Sequence, residues 1–507
     1  MTSPGATPLA LRFSNFGMAF VERHTKRTIL ENCTLDVPSG GFYLLRGPSG
    51  SGKSTILRLL TGLWSAREQR PRVTGRCVVL GENVEIGYPN SLRNRVAAVL
   101  QDEGLLDDLS PRENVELALT SAGRSTKLAV ALLSQTGLEE PPDRVANLSG
   151  GMRKRAGVAR GLAAEPELFI FDEPTAGLDA NAARKLAELL LETHREAGKR
   201  RTTIVITHDL PAFDGIASGI IDIDADAHSL RLMDPGDSEA KNTPTVVPVA
   251  AAEADHDPLW EASKRLVREL GSIAQTIGQS VVHLPPVFFK LCVRSVTRCV
   301  VESAFFVGVG SLMLGFLATF FALRNSPVEG AFEDQIITGA GKVLISVLCP
   351  MIVGFFFTAR MAAGAAARLG TMRRTNQVAA LTLMGIRPAD YLLTPLLFGF
   401  CFAMPLVTFG GLVLSSLASM GSAALVSDVT TVRWTAAFFN GTGLEDLRFI
   451  LLKTLITGYL VAVWTYHLAM GPKRSGLDVG NSVNLSIVTG MITVLTVHGL
   501  LTLWQFA

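Results

Sequence analysis

The hydrophobic and polar positions divide this chain into two parts with different patterns. In the first part, up to about residue 257, short apolar runs alternate with helical stretches, and charged residues are spread throughout. The apolar runs are of strand length and lie at residues 42–45, 77–80, 168–171 and 203–206. Strands that alternate with helices are typical of a mostly parallel sheet flanked by helices, so the first part is predicted to be an α/β domain.

In the second part, from about residue 281 onwards, charges are sparse and long apolar segments dominate. A helix needs about 20 apolar residues to cross a bilayer, so we predict an all-α membrane domain of about five transmembrane helices. Buried helices of a soluble domain are the alternative, but one core would then have to hide all the segments. The third segment contains Pro395, Pro405 and a Gly410-Gly411 pair, which predict a kink. The segments are residues 303–323, 343–364, 391–420, 449–470 and 483–504.

The region between the two parts has a pattern of its own. Residues 234–258 are rich in proline, alanine and acidic residues and have no period, which predicts a linker. Residues 259–280 regain a helical period with Lys264, Arg265 and Arg268 on one side, which is typical of a helix at a membrane surface. A solvated helix that spaces the domains fits the same pattern. The predicted organisation is a domain at 1–233, a linker at 234–258, interfacial helices at 259–302 and a membrane domain at 303–507.

Charge and cysteine content exclude some classes of function. The chain has 507 residues with 47 Lys and Arg against 45 Asp and Glu, a near-neutral balance that gives no support for a nucleic-acid partner. Six scattered cysteines form no CxxC pair, so they are interpreted as reduced thiols that pack in the interior. The first residues have neither a basic region nor an apolar region of a cleavable signal, so the first part is expected to stay in the cytoplasm.

Basic residues in the short loops predict the orientation in the membrane, because loops rich in Lys and Arg face the cytoplasm. The opposite loops are acidic, with Glu329, Glu333, Asp334, Asp428, Glu445 and Asp446. The loops after the second and fourth segments therefore lie inside, which puts the N-terminus in the cytoplasm and the C-terminus outside. Their basic residues are Arg360, Arg368, Arg373, Arg374, Arg387, Lys473 and Arg474.

A glycine-rich loop after the first apolar run has the pattern G-x-x-x-x-G-K-[ST] and precedes a helical stretch. Glycines let the backbone N–H groups turn towards phosphates, and the helix N-terminus adds positive potential. The lysine would reach the β- and γ-phosphates of ATP, and the last serine would bind Mg²⁺. The loop consists of Gly47, Pro48, Ser49, Gly50, Ser51, Gly52, Lys53 and Ser54.

Two adjacent carboxylates, Asp172 and Glu173, end the apolar run at residues 168–171. A carboxylate at the end of such a strand can hold Mg²⁺ directly or through water. A second carboxylate beside it can orient and polarise an attacking water. With the glycine-rich loop, this pair predicts phosphoryl transfer, which needs mainly positioning and charge neutralisation.

The segment Leu148-Ser149-Gly150-Gly151-Met152 lies between the glycine-rich loop and Asp172. With it, residues 9–233 resemble the nucleotide-binding domain of the ATP-binding cassette (ABC) family, an α/β P-loop fold with a helical subdomain. The resemblance implies ATP hydrolysis in a dimer, in which Ser149, Gly150 and Gly151 close over the nucleotide of the second subunit.

The same resemblance assigns further residues of the nucleotide site. Gln101 would sense Mg²⁺ and the membrane domain, and His208 would contact the γ-phosphate. Phe20 would stack on adenine, although a strand core residue is the alternative reading. The ATP-binding set is completed by Thr55 after the glycine-rich loop and by Asp179 in the segment 176–179.

The second part resembles the MlaE-type permease family. The resemblance rests on residues 359–381, which read ARMAAGAAARLGTMRRTNQVAAL, on the following MGIRPADYLLTP, and on residues 471–482, which read GPKRSGLDVGNS. The stretch LSGGMRKRAGVARGLA is also similar to ATPases of Mla-type lipid transport systems. This chain departs from the permease family in having Arg368, Asn376 and Ala379 where acidic residues are usual, and Val347 where a glutamate is common.

Together the resemblances imply an ATP-driven half-transporter of the bacterial inner membrane that acts as a homodimer. It would move phospholipid or a related lipid, with a periplasmic MCE-domain protein as partner. The loop from Arg360 to Arg387 is the expected coupling element, docking near Gln101; an ordinary cytoplasmic loop is the alternative. Two other functions stay open: a membrane ATPase that signals mechanically without transport, and an exporter of a small hydrophobic molecule.

Overall fold

The computed structural model describes residues 8–22, 25–64, 70–85, 87–235, 271–278, 289–325, 333–427, 429–473 and 475–507. The chain forms two compact units. The first contains Met1–Asp255 together with Thr375–Arg387, and the second contains His256–Arg374 and Pro388–Ala507. A short segment from the second part of the sequence, Thr375–Arg387, therefore belongs to the first unit; we call it the docking segment.

The first unit is built on two sheets. A six-stranded sheet has the order β10-β9-β3-β8-β7-β6, in which only β10 is antiparallel to its neighbour. An antiparallel sheet of order β2-β1-β4-β5 lies beside it in the same unit. The strands are β1 Leu9–Glu22, β2 Thr25–Pro38, β3 Phe42–Arg46, β4 Arg72–Val79, β5 Glu82–Asn83, β6 Val96–Val99, β7 Leu168–Asp172, β8 Thr202–Ile206, β9 Gly219–Asp224 and β10 Ser229–Met233.

The alternation of side chains along the central strands gives the six-stranded sheet two buried faces. In β3, Tyr43 and Leu45 belong to one core cluster, whereas Phe42 and Leu44 belong to another. In β7, Ile170 belongs to the cluster of Tyr43, and Phe169 belongs to the cluster of Phe42. Successive side chains of a strand point to opposite faces, so such continuous apolar runs are typical of parallel strands covered on both sides. The predicted α/β fold is confirmed.

Helices cover these faces, and three of them form a separate group. The helices of the first unit are α1 Lys53–Thr61, α2 Pro111–Ser121, α3 Leu128–Gln135, α4 Gly150–Leu162 and α5 Ala180–Ala197. Helices α2, α3 and α4 pack on one another, between β6 and β7 in the chain. They correspond to the helical subdomain that the family resemblance implies.

The second unit is helical and contains five stretches that are long and apolar enough to cross a membrane, among the residues that the structure describes. Each begins before its predicted segment, and all but the fourth also end after it. They run over Phe289–Arg324, Glu333–Arg374, Ala389–Val426, Leu444–Ala469 and Gly476–Phe506. The helices are α6 Phe289–Arg324, α7 Glu333–Val343, α8 Cys349–Arg374, α10 Thr394–Val426, α11 Thr431–Asn440, α12 Leu444–Ala469 and α13 Gly476–Phe506; α9, Gln377–Leu383, lies in the docking segment.

The end of the second stretch corrects a prediction. The sequence suggested a loop from Arg360 to Arg387, but α8 continues as a helix to Arg374. Its buried positions Ala362, Ala366 and Leu369 recur at helical spacing, and the alanine-rich sequence from Ala362 to Arg374 contains no proline. The arginines up to Arg374 therefore stand on a helix, and the true connection is the short docking segment.

Some predictions fall on residues outside the described ranges. The linker is described only to residue 235, and Lys264, Arg265 and Arg268 of the predicted interfacial helix are not described. Residues 271–278 are helical. Residues 289–302 are the first turns of α6 rather than a separate interfacial helix. The predicted kink at Pro405 lies within α10 and stays a prediction.

Candidate functional site

The glycine-rich loop connects the end of β3 to the first turn of α1 and depends on glycine at two positions. Gly50 and Gly52 have φ of +83° and +101°, in the left-handed region that other residues rarely adopt. A Cβ at Gly52 would also overlap the side chain of Ile29. A Cβ at Gly47 would lie 2.8 Å from the Ser51 hydroxyl oxygen. The conformation of this loop therefore requires glycine at positions 50 and 52.

Polar groups of the loop point to an anionic ligand. The Lys53 ammonium donates hydrogen bonds to the carbonyl oxygens of Gly47 at 2.7 Å and Pro48 at 3.0 Å. Burial lowers the pKa of Lys53, while the negative charges of Glu173 and Asp172 oppose that shift. The Ser51 hydroxyl is buried and has no hydrogen-bond partner among the described residues. An orphaned donor beside a helix N-terminus fits a phosphate.

The exposure of the remaining loop residues is compatible with ligand binding. Pro48, Ser49 and Ser54 are exposed, and Thr55 is half-buried in the first turn of α1. The hydroxyls of the helix start therefore lie on the accessible side of the loop.

Asp172 and Glu173 lie at the end of β7, as predicted. Burial raises the pKa of Asp172 to about 6, with a further contribution from the negative charge of Glu173. A cation beside this pair would favour the charged forms, and carboxylates with a serine hydroxyl are oxygen ligands that Mg²⁺ prefers.

Glu173 is brought next to His208 by the parallel pairing of β7 with β8. The Nε2 atom of His208 lies 3.5 Å from Oε1 of Glu173, and its backbone N–H donates to Oε2 at 3.4 Å. Glu173 has φ of +48°, and its N–H donates to the carbonyl oxygen of Ile206 at 2.8 Å. A glutamate in this conformation is strained, and such strain concentrates at functional sites. Sequence reasoning did not predict this backbone conformation.

Ser149, Gly150 and Gly151, which we call the signature, lie at the start of α4; Ser149 and Gly150 are exposed and Gly151 is half-buried. Ser149 caps the helix by accepting a hydrogen bond from the N–H of Met152 at 3.3 Å. A Cβ at Gly150 or Gly151 would meet no atom of the described residues within 4 Å. Packing against the described residues therefore does not explain the two glycines.

Two other predicted residues have clear local positions. Asp179 caps α5 by accepting from the N–H of Ala182 at 2.9 Å, and it is exposed. Phe20 pairs in register with Arg27 and packs, partly buried, against the core cluster that contains Tyr43. Both readings of Phe20, adenine stacking and strand packing, remain compatible with this position.

The docking segment packs on the loop that follows β6. Gln101 is exposed in this loop. The side chain of Gln377 is 2% exposed; it donates to the Asp107 carboxylate at 2.7 Å and accepts from the Asp107 N–H at 3.4 Å. A Cβ at Gly104 would lie 2.7 Å from the carbonyl oxygen of Asn376, so the two backbones approach closely only because Gly104 is glycine. The Ser121 hydroxyl donates to the Met384 carbonyl oxygen.

This contact also accounts for two departures from the permease family. Asn376 has φ of +58°, a conformation that asparagine tolerates better than most residues. Ala379 and Leu383 pack against the same core cluster as Phe20, where a carboxylate would lose its hydration. An alanine therefore suits this surface. Arg368 lies in the second unit, and Val347 lies in a π-helical turn, Leu344–Leu348.

A buried polar cluster in the second unit was missed from the sequence. The Asp446 carboxylate accepts hydrogen bonds from Lys342 at 2.7 Å, Ser346 at 3.0 Å and Gln505 at 2.7 Å. Lys453, which is fully buried, donates to the Gln505 side-chain oxygen at 2.7 Å. Lys453 within an apolar segment was the available signal, because an ionisable group there needs a partner.

Comparison with protein families gives two matches on separate parts of the chain. The family described as Permease MlaE matches residues 292–504. The family described as ABC transporter matches residues 30–176.

Individual relatives match the first part. The methionine import ATP-binding protein MetN of Cereibacter sphaeroides is 34% identical over 230 residues, 44% of this chain and 64% of the relative. The chain thus spans slightly less than two thirds of that protein. The taurine import ATP-binding protein TauB of Pseudomonas aeruginosa is 34% identical over 212 residues, 41% of this chain and 76% of that protein. A solved dimeric ATP-binding cassette bound to ADP and Pi is 28% identical, with a TM-score of 0.39, over 44% of this chain and 98% of that chain.

Proposed function

We propose that this chain, which belongs to the ABC transporters, is a homodimeric half-transporter that moves phospholipid or a related lipid. Its first part is the ATPase, and its second part is an MlaE permease domain. The ATPase hydrolyses ATP to drive a multi-pass membrane domain. The observation that carries the proposal is the docking segment: a part of the permease sequence is built into the ATPase unit through Gln377 and Asp107.

We assign the nucleotide site to the residues that the sequence predicted. The glycine-rich loop would hold the phosphates with its backbone N–H groups, with the Ser51 hydroxyl and with the Lys53 ammonium. Glu173 would orient and polarise the attacking water, and His208 beside it would contact the γ-phosphate. Mg²⁺, when bound, would neutralise phosphate charge. Its ligands would be Ser54, Asp172 and Gln101, and Phe20, Thr55 and Asp179 would complete the binding set.

The accessible signature supports a dimer with composite sites. A Cβ at Gly150 or Gly151 would meet no atom of the described residues within 4 Å, so a requirement for glycine there would come from close approach by another molecule. In the proposed dimer, Ser149, Gly150 and Gly151 of one copy cover the nucleotide held by Lys53 of the other. Two permease domains are then paired by the same event.

The lipid substrate rests on the permease match and on the five long apolar helices. We place the protein in a bacterial inner membrane, with the ATPase in the cytoplasm and a periplasmic MCE-domain protein as the partner that accepts or delivers lipid. No nucleic acid takes part in this function.

Reconstitution of the full chain into liposomes tests the proposal. Fluorescent phospholipid should move in an ATP-dependent manner, with or without an MCE-domain partner, and Lys53→Ala should abolish the movement. Mass spectrometry of co-purified ligand should find phospholipid rather than a small hydrophobic molecule. If ATP is hydrolysed but lipid moves neither with nor without the partner, the result would instead favour the membrane ATPase that signals mechanically without transport.

A further inference from the structure

Helix α4, which begins at the signature, carries a buried cation that reaches the loop under the docking segment. Nζ of Lys154 lies 3.4 Å from Oε1 of Glu103, and the two side chains are only 9% and 11% exposed. Burial raises the pKa of Glu103, and the Lys154 ammonium opposes that shift. A buried ion pair ties its two elements together, because removing one partner leaves a buried charge unpaired.

A second buried cation of α4 binds the same two residues of the loop. The Arg160 guanidinium, 5% exposed, donates to the carbonyl oxygen of Gly104 at 2.6 Å and also to that of Glu103. Glu103 and Gly104 have φ of +49° and +62°. For Glu103 this conformation is strained, and strained residues persist only where their surroundings hold them. Lys154 and Arg160 provide that hold.

The opposite side of this turn faces the docking segment. Gly104 approaches the Asn376 carbonyl oxygen so closely that a Cβ would lie 2.7 Å from it. Asp107, three residues further on, hydrogen-bonds to Gln377. From Ser149 to Arg160, α4 extends about 16 Å, at about 1.5 Å per helical residue. An unbroken series of contacts therefore runs from the signature to the permease segment.

We propose that Glu103, Lys154 and Arg160 are positioning residues that form a latch between the signature helix and the docking segment. The inference rests on the proposed transport function and adds the residues that couple its two parts. Closure of the signature over the partner's nucleotide displaces α4, the latch moves the Glu103–Gly104 turn with it, and the docking segment follows. In this role the three residues position other groups and do not bind nucleotide or lipid themselves.

Hydrogen–deuterium exchange of the full chain in nanodiscs tests the latch. The parent is Glu173→Gln, chosen to hold ATP without turnover, and two regions are followed: the glycine-rich loop at 47–54 and the docking segment. In the parent, Mg-ATP should change exchange in both. The double variant adds Glu103→Gln and Lys154→Met to this parent. In it, the Mg-ATP-induced change in exchange at 47–54 should remain, whereas the change in the docking segment should become about fivefold smaller, which is the low end of couplings between sites.

Matched variants separate coupling from folding. The double variant replaces a buried ion pair by uncharged side chains of similar size, an exchange that is often neutral for stability. Glu103→Gln alone and Lys154→Met alone should each lose as much coupling as the double variant, because each substitution already removes the same ion pair. Lys154→Arg, which keeps the charge, should retain the coupling. Arg112→Gln, which breaks the exposed pair with Glu116, should behave like the parent.

The outcomes distinguish the latch from the function on which it rests. An undiminished response of the docking segment in the double variant would overturn the latch. A parent that responds at 47–54 but not in the docking segment would overturn it as well and would leave ATP binding intact. A parent with no response at 47–54 would overturn the proposed function, and the latch with it.

Discussion

Gln377 and Asp107 hydrogen-bond to each other twice, once between side chains and once between the Gln377 side chain and the Asp107 backbone. They are 270 positions apart in the sequence, yet they belong to the same compact unit. The glutamine is nearly inaccessible, so water cannot easily replace these bonds. The pair therefore fixes the register of the docking segment on the ATPase.

Replacing this glutamine should loosen the docking segment without unfolding the ATPase. Gln377→Ala removes both bonds, which together contribute about 2 kcal/mol. Backbone amides of Thr375–Arg387 should then exchange with deuterium at least about tenfold faster in the absence of nucleotide. Thr382→Ala is the matched control, because the Thr382 hydroxyl donates to the Val378 carbonyl oxygen within its own helix and has no other partner among the described residues. Equal exchange in both variants would contradict the role of Gln377.

Glu173→Gln should bind ATP but hydrolyse it slowly. The amide keeps the size of the side chain, and it cannot act as a base for the attacking water. The rate of phosphate release should fall by about 10² to 10⁴, the range for loss of a general base. Nucleotide affinity, measured by fluorescence titration, should remain close to that of the unmodified chain. The control Glu188→Gln, on the exposed face of α5, should hydrolyse ATP normally. Near-normal turnover in Glu173→Gln would remove Glu173 from the mechanism.

Mixed dimers should reveal whether the sites are composite. If Lys53 of one copy acts with Ser149 of the other, Lys53→Ala and Ser149→Arg in different copies damage the same site and leave the second intact. Both substitutions in one copy, paired with an unmodified copy, damage both sites. ATPase activity of affinity-purified dimers should therefore be higher for the first arrangement than for the second. The reverse order would show that each chain completes its own site.

The polar cluster of the second unit should matter for stability. Asp446→Ala leaves Lys342 without its carboxylate partner, and it also removes the acceptor of Gln505, the residue to which the buried Lys453 donates. This loss should cost about 3–5 kcal/mol, as for other buried ion pairs. Thermal unfolding in nanodiscs should detect the loss. Glu445→Ala, one residue away, removes an exposed carboxylate that pairs with Arg448, and it should leave the unfolding temperature almost unchanged. Equal effects of the two substitutions would show that burial of the cluster is unimportant.

Local sequence was sufficient for those parts of the candidate site whose geometry is local. Gly50 and Gly52 allow the left-handed backbone that the loop needs, and Asp172 follows directly from a buried strand, so spacing alone located them. Hydropathy likewise located the membrane segments, because a bilayer demands a minimum apolar length. The strained backbone of Glu173 was not predictable, since it depends on a bond to Ile206, which is remote in sequence.

Features that join distant residues were not accessible from the pattern. Asp446 looked like an acidic residue of an outer loop, whereas Ser346, 100 positions earlier, and Gln505 pair with it in the interior. The end of α8 was placed too early, because an alanine-rich helix with arginines resembles a basic loop in hydropathy. The latch is equally hidden, since nothing in the local spacing links Lys154 to Glu103.

The ATPase unit is discontinuous in the sequence, and this sets the order in which the protein can be made. About 120 residues separate Asp255 from Thr375, so the ribosome works for about ten seconds more before the docking segment emerges. The first two membrane helices must enter the bilayer within that interval. Because both pieces belong to one polypeptide, the tether holds them at high effective concentration. Each nascent ATPase is thereby matched to the permease of its own chain before a neighbour can supply one.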